Sequence, residues 1–436
     1  MKVIKKIKNI LTTKSEFKQT EEFTRFFYLA ENSYDNLFIT GKAGTGKSTF
    51  IEYFRDRSTK NIAVLAPTGL SAINVKGQTI HSFFRFPPRF ITKDSIARNI
   101  RSPMYRELDT IIIDEISMVR ADVLDGIDFF LRKYGKDKEL PFGGIQMIFI
   151  GDLFQLSPVL KREEMQIFAE SYSSPYFFSS PAFREGMFKV VNFSKIFRQE
   201  DEDFVEILNN IRVGSADSSI YNLLNQRVVG RDKIDRKKFL TLTTTNSVAN
   251  AINEAELNKI NKPLFIFNAQ VEGDFPTEDR SLPIDLELNL KKGARVMFVK
   301  NDKARRWVNG TLGIVESLGK EEIKVKIDNL REVVTVGIEE WDNVKYSFDL
   351  EKNEVVATVV GVLKQYPLKL AWAITTHKSQ GMTFNKVAID FSVSPFTHGQ
   401  TYVALSRCRS LEGICLTRKI YPNDVIVNEE ILNFNS

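Results

Sequence analysis

Near the start of the chain, Gly41-Lys42-Ala43-Gly44-Thr45-Gly46-Lys47-Ser48 matches the pattern G-x-x-x-x-G-K-[ST] at every fixed position. The segment follows the apolar run Asn36–Thr40 and opens a helical stretch from Ser48 to Arg57. In that context the glycines let backbone N–H groups wrap phosphate oxygens, and the helix N-terminus adds positive potential. Gly44, Thr45, Gly46, Lys47, Ser48 and Thr49 are therefore expected to hold ATP, with Lys47 on the β- and γ-phosphates and Ser48 on Mg²⁺. Further on, Ile111-Ile112-Ile113-Asp114-Glu115 is an apolar strand ending in two carboxylates. At the C-terminal edge of a sheet, where ligands bind, Asp114 would hold Mg²⁺ through water and Glu115 would orient and deprotonate the attacking water. A third strand ends in Gly151-Asp152-Leu153-Phe154-Gln155, and the Gln155 amide is a candidate reporter of the γ-phosphate. Arg198 and Arg407 are candidates for the charge that develops on a transferred phosphoryl group. Each feature has an ordinary alternative, such as a polar turn or a surface arginine. Their order along one chain favours the catalytic reading.

These residues need a scaffold that brings strand ends together. Asn36–Thr40, Asn61–Ala66, Thr110–Asp114 and Ile145–Ile150 are continuous apolar runs separated by helical stretches, which predicts a parallel sheet with crossovers. A second alternating set starts near Val190, with strands at Phe239–Leu242, Leu370–Ile374 and Val387–Asp390. Between 295 and 363, short runs such as Glu322–Ile327 and Glu332–Val336 alternate with turn residues such as Asn309-Gly310, the texture of a small antiparallel barrel. The expected division is a first α/β domain over 1–190 with a small insertion at 77–105, a second over 191–294 plus 364–436, and a β insertion over 295–363.

Bulk properties agree. At 436 residues two or three domains are expected. The balance of 61 Lys and Arg against 55 Asp and Glu, net +6, is compatible with a polyanionic partner. No apolar run is long enough for a transmembrane helix, and the basic start is not a secretory signal, so a cytoplasmic, prokaryotic or phage-like protein associated with the nucleoid is expected. Two cysteines, Cys408 and Cys415, are too few for a metal framework.

The full motif series resembles superfamily-one DNA helicases of the 5′-to-3′, RecD-like branch, and within it the Pif-type family. The resemblance runs from Asp35 to Leu416. It rests on the phosphate loop; Ala66-Pro67-Thr68-Gly69 with Thr79-Ile80-His81-Ser82-Phe83; Ile113 to Val119; Gly151 to Pro158; Phe197-Arg198-Gln199; Thr376-His377-Lys378-Ser379-Gln380-Gly381; and Tyr402 to Arg409. Pro141-Phe142-Gly143-Gly144 looks like the end of the Pif-type signature, although a cysteine many members carry after the acidic pair is absent. The resemblance implies two RecA-like P-loop domains, a small wedge insertion in the first and an SH3-like barrel in the second. It also implies an ATP-dependent, Mg²⁺-dependent motor moving 5′-to-3′ on single-stranded DNA and unwinding tailed duplexes, expected to work as a monomer, with G-quadruplex DNA as a further substrate.

A motor on a single strand needs backbone grips and stacking contacts. By resemblance Pro67 and Thr68 form one grip, and Thr376, His377, Lys378 and Ser379 the other. His81 would lie near the strand or its bases. Phe84, within the aromatic and Pro-rich run Phe83 to Phe90, is a candidate wedge or stacking ring, against a core role in a chain with 34 Phe. Trp307 and its basic neighbours stand beside the Asn309-Gly310 turn, and Gln19 is a candidate adenine-reading amide. An RNA-directed motor and a nucleotide-regulated binding module are the rival readings.

Overall fold

The computed structural model describes residues 21–435 except 88, 97–102, 161–163, 195–200, 278–281, 283, 305, 320–321, 329–332 and 350–353. Gln19 and Arg198 lie outside the described residues. Six strands form the first sheet: β1 (Leu37–Gly41), β2 (Ile62–Ala66), β3 (Gln78–Thr79), β4 (Thr110–Ile113), β5 (Gln146–Gly151) and β6 (Lys189–Phe193). They run parallel in the order β3-β2-β4-β5-β1-β6. Both faces are covered, so the strands read as unbroken apolar runs. Phe38, Ile111 and Phe149 enter one core, while Leu37, Ile39, Ile112 and Ile148 enter another on the opposite face.

The chain then opens a second sheet with β7 (Leu240–Thr243) and leaves it for an antiparallel excursion: β8 (Phe265–Asn268), β9 (Gln270–Gly273), β10 (Glu287–Leu290), β11 (Arg295–Phe298), β12 (Leu312–Leu318), β13 (Ile323–Ile327), β14 (Val333–Val336), β15 (Glu339–Asp349), β16 (Glu354–Gln365) and β17 (Leu368–Leu370). It returns through β18 (Ala373–Thr375), β19 (Val387–Asp390) and β20 (Ile414–Leu416). The second sheet is parallel, in the order β18-β7-β19-β20. Within the excursion, β14-β13-β12-β11-β17 make one antiparallel sheet, and the β15–β16 hairpin pairs with β9. The alternating residues Ile323, Val325 and Ile327 share a core with Ile252 and Leu257 of helix Asn246–Asn258, which seats the module on the second α/β domain.

Three boundaries differ from expectation. The division after 190 falls inside β6, which pairs with β1 and belongs to the first sheet. The expected strand Leu370–Ile374 is two strands: Leu370 pairs with Val296 of the antiparallel sheet, whereas Ala373 pairs with Thr241 of the parallel one. An apolar run gives no sign of a change of sheet partway along. The antiparallel excursion is also wider than 295–363, because β8 to β10 precede it and β17 closes it. No helix among the described residues is long and apolar enough to cross a membrane.

Candidate functional site

The strand order explains how distant motifs meet. Strands β4, β5 and β1 are neighbours, so the acidic pair, Asp152 and the phosphate loop emerge side by side at one sheet edge. Gly44 (φ 82°) and Gly46 (φ 89°) take left-handed conformations that a side chain would strain. Helix Lys47–Arg57 starts immediately after, with Ser48 and Thr49 exposed at its first turn. Lys47 folds back over the loop, its Nζ donating to the carbonyls of Gly41 (2.6 Å) and Lys42 (3.0 Å).

Asp114 is buried just past β4. Burial, and then the adjacent Glu115 charge, push its carboxyl up to about 7, against the opposing pull of a backbone hydrogen bond at Glu115 and of Lys47. A divalent cation would reverse that penalty, so the Asp114 and Ser48 oxygens fit Mg²⁺. Glu115 has φ 51° and ψ 44°, an unusual conformation for a residue with a side chain, and it starts the short helix Ile116–Met118. Backbone strain at a strand end beside a phosphate loop fits a residue held for chemistry.

Asp152 is fully buried and stays ionised. Burial alone would raise its pKa, but Arg212, Lys47 and several hydrogen bonds outweigh burial and hold it below the usual carboxylate range. Arg212 comes from helix Glu202–Val213 and donates to Asp152 Oδ1 at 3.0 Å, with its guanidinium 3.8 Å from the centre of the Phe154 ring. Arg212 also bonds the hydroxyl of Tyr402, which accepts the Ala43 N–H of the phosphate loop at 3.2 Å. Gln155 donates from Nε2 to Asp152 Oδ2 at 3.4 Å. At Gly399 (φ +76°), a Cβ would lie 2.3 Å from the Gln155 carbonyl oxygen, so only glycine lets helix Gln400–Leu405 approach this loop. The phosphate loop is thus closed by residues of both α/β domains. Sequence reasoning missed Arg212 and gave Tyr402 no role. The available signal was the amphipathic spacing of Phe204, Ile207, Leu208 and Ile211, which leaves Arg212 at the edge of a buried stripe.

Arg407 is fully buried beside this network. Its guanidinium donates to the carbonyls of Val403 (2.9 Å), Ser379 (3.4 Å) and Met382 (3.5 Å) and to the Ser406 hydroxyl (2.8 Å).

The nucleic-acid candidates divide. Pro67 and Thr68 are half-buried past β2, and Thr68 caps helix Gly69–Asn74 by accepting from the Ser71 N–H at 3.2 Å. His377 and Lys378 are half-buried, as is His81, two residues beyond Thr79. Thr376 and Ser379 are corrected: both are fully buried, with hydroxyls donating to the Thr243 and Thr376 carbonyls, so they build the turn that presents His377 and Lys378. Phe84 is likewise core. It is fully buried between Phe86 and Phe130, at centroid distances of 5.3 and 5.2 Å. Trp307 is buried against Phe298 at 4.3 Å, with Arg306 over its ring. Pro141–Gly144 is a structural turn: Phe142 (φ 53°) and Gly143 (φ 65°) fold back on helix Ala121–Tyr134, where the Phe142 N–H donates to Asp128 at 2.6 Å.

The β15–β16 hairpin reaches across to the first sheet. The Val64 N–H donates to the Tyr346 hydroxyl at 3.2 Å, and the Tyr346 N–H donates to Gln78 at 3.3 Å. Because β3 is only two residues long, it leaves the Val64 N–H without a strand partner, and Tyr346 takes that place.

A model of the PIF1-like helicase family matches residues 19–221. The ATP-dependent DNA helicase Pif1 of Bdellovibrio bacteriovorus is 33% identical over 410 residues, spanning 92% of this chain and 88% of that protein. The chain belongs to the PIF1-like helicase family. Among solved structures, Pif1 from Bacteroides sp in complex with ADP-AlF4 superposes with a TM-score of 0.88 at 38% identity, covering 96% of both chains. Bacteroides Pif1 bound to ssDNA gives 0.69 at 39% identity, covering 95% of this chain and 96% of that one. The two parallel sheets are thus the RecA-like pair of this family, and the chain superposes more closely on the Bacteroides structure without DNA than on the one with ssDNA.

Proposed function

We propose that this chain is an ATP-driven motor that holds single-stranded DNA on both RecA-like domains, moves 5′-to-3′ along it and opens duplex ahead. The observation that carries the reading is the closure of the phosphate loop by both domains, through Tyr402 on the Ala43 N–H and Arg212 on Asp152. A nucleotide entering there competes for Lys47 and for the loop amides, so occupancy alters the contact between the domains. Alternating closure then alternates the grip of Pro67 and Thr68 on one domain with that of His377 and Lys378 on the other. We divide the chain into a first motor domain ending with β6, a second built on β7 and β18 to β20, and the antiparallel module between them.

In this reading Lys47 exchanges its Gly41 and Lys42 carbonyls for phosphate oxygens. Glu115 orients the attacking water and takes its proton, and Gln155 reports phosphate state to the helix it touches. Ser48 and Asp114 would hold Mg²⁺, which supplies charge neutralisation on the phosphates. Arg407 serves as a finger only by giving up its carbonyl partners, a change we assign to cleft closure, and Arg198 is the second candidate. Monomeric action and G-quadruplex unwinding are parts of the proposal that rest on family resemblance.

The test is ATP hydrolysis with and without single-stranded DNA. DNA should stimulate turnover. Lys47→Ala should abolish it, and Glu115→Gln should abolish it while nucleotide binding persists. Parental turnover in either variant would overturn the site. Equal stimulation by RNA would overturn DNA as the substrate.

A further inference from the structure

The chemistry described above lies where the strands end, but the opposite edge of the second sheet is also built. Lys237 and Lys238 precede β7, Lys386 immediately precedes β19, and Arg409 precedes β20. These three strands are consecutive in the sheet, so the residues gather at one edge of it, and the Arg409 N–H donates to the Phe384 carbonyl at 3.2 Å, two residues before Lys386. All four side chains are exposed. They line a cavity of about 420 Å³ whose other wall is the turn from Val308 to Leu312 of the antiparallel module. The acidic residue on this lining, Asp328, is already engaged by Arg295 at 2.8 Å. Lys238 has a solvent-exposed partner in Asp235 at 3.3 Å, a contact that a denser anion would displace at little cost.

We propose that this edge is a second nucleic-acid track, holding the sugar–phosphate backbone of DNA beyond the stretch gripped by the two motor domains. Cations drawn from separate loops along one sheet edge suit an extended polyanion. A compact phosphate is more often met by converging backbone N–H groups at a helix N-terminus, and among the described residues no helix starts on this lining. Because the module supplies one wall, DNA on the track would also bear on the position of the β insertion.

This inference rests on the nucleic-acid reading above, and the experiment separates the two. Wild type and the double variant Lys238→Gln/Lys386→Gln are compared by fluorescence anisotropy on oligo-dT of increasing length and across salt. Short oligonucleotides should bind both proteins alike and stimulate ATP hydrolysis alike. Long ones should bind the variant several-fold more weakly, with a salt slope shallower by about 1.4, or about 0.7 for each phosphate of a single strand that is no longer neutralised. Identical affinity and slope at every length would overturn the track. Failure of both proteins to bind any oligonucleotide would instead overturn the nucleic-acid reading. Titration of tripolyphosphate into the Lys47→Ala protein supplies the last arm: binding that vanishes on adding the two Gln substitutions would make the edge a compact-phosphate site and overturn the proposal.

Discussion

Arg212→Met is the most informative single change at the domain junction. Asp152 is fully buried, and Arg212 is its ion-pair partner across the junction. Breaking a buried pair from one side leaves an uncompensated charge and typically costs about 3–5 kcal/mol. Here Lys47 still acts on Asp152, and the Phe154 N–H still donates to it at 3.2 Å, so the lower end, about 3 kcal/mol, is expected. The assay is urea unfolding at pH 7 of wild type, Arg212→Met, Asp152→Asn and the double variant. The double variant carries no orphaned charge, so it should lose clearly less than the sum of the two single losses. ATP hydrolysis by Arg212→Met, at temperatures where it is folded, should also fall, because Tyr402 and Asp152 lose their shared partner. Additive single effects, or Arg212→Met within about 0.5 kcal/mol of wild type, the scatter expected of a surface substitution, would show that Arg212 does not stabilise the buried Asp152 charge.

The other expected outcomes concern neighbouring parts of the structure. Phe84→Ala should cost about 3–5 kcal/mol of stability as a core deletion, with DNA affinity per folded molecule unchanged; an affinity loss without destabilisation would restore a stacking role. Tyr346→Phe leaves the Val64 N–H without its partner, at about 1–3 kcal/mol. The loss should appear as a lower urea midpoint, and an unchanged midpoint would show that the hairpin does not depend on this contact. His398 accepts the Asn428 N–H at Nδ1 (3.1 Å), so its proton sits on Nε2, facing the Leu153 carbonyl at 2.9 Å. Burial lowers its pKa below the ordinary 6.5. The unfolded chain then binds the proton first, so this stability is present above 6.5 and lost as pH falls toward the folded value. His81 and His377 are shifted the same way by burial. Asp114, pushed up to about 7, acts in the opposite sense over this range, so the comparison carries the test: from pH 7.5 to 5.5 the urea midpoint of wild type should fall relative to that of His398→Gln, and parallel pH curves would count against His398.

Much of the site was legible because it is local. Gly44, Gly46 and Lys47 act through backbone conformation and spacing, and the acidic pair follows an apolar run that can only be a buried strand. What stayed hidden depends on packing between distant segments. Nothing near Arg212 in sequence points to Asp152, and Tyr402 meets Ala43 only when the two sheets pack. Phe84 carries the same side chain whether it faces solvent or Phe130, so an aromatic cluster alone could not assign it. The hydroxyls of Thr376 and Ser379 lie in the same motif as His377 and Lys378, yet the turn itself consumes them. The break between Leu370 and Ala373 was hidden because both halves are equally apolar.

A motor that moves in one direction along DNA opens a duplex from one kind of tail only, and this is a property of the protein that can be measured. It is tested most directly by ATP-dependent unwinding of two matched duplexes, one with a 5′ single-stranded tail and one with a 3′ tail, with Lys47→Ala as the inactive control. Only the 5′-tailed duplex should open, and only with the wild-type protein. Unwinding from the 3′ tail would contradict the direction, and unwinding of neither duplex despite ATP binding would contradict the motor itself.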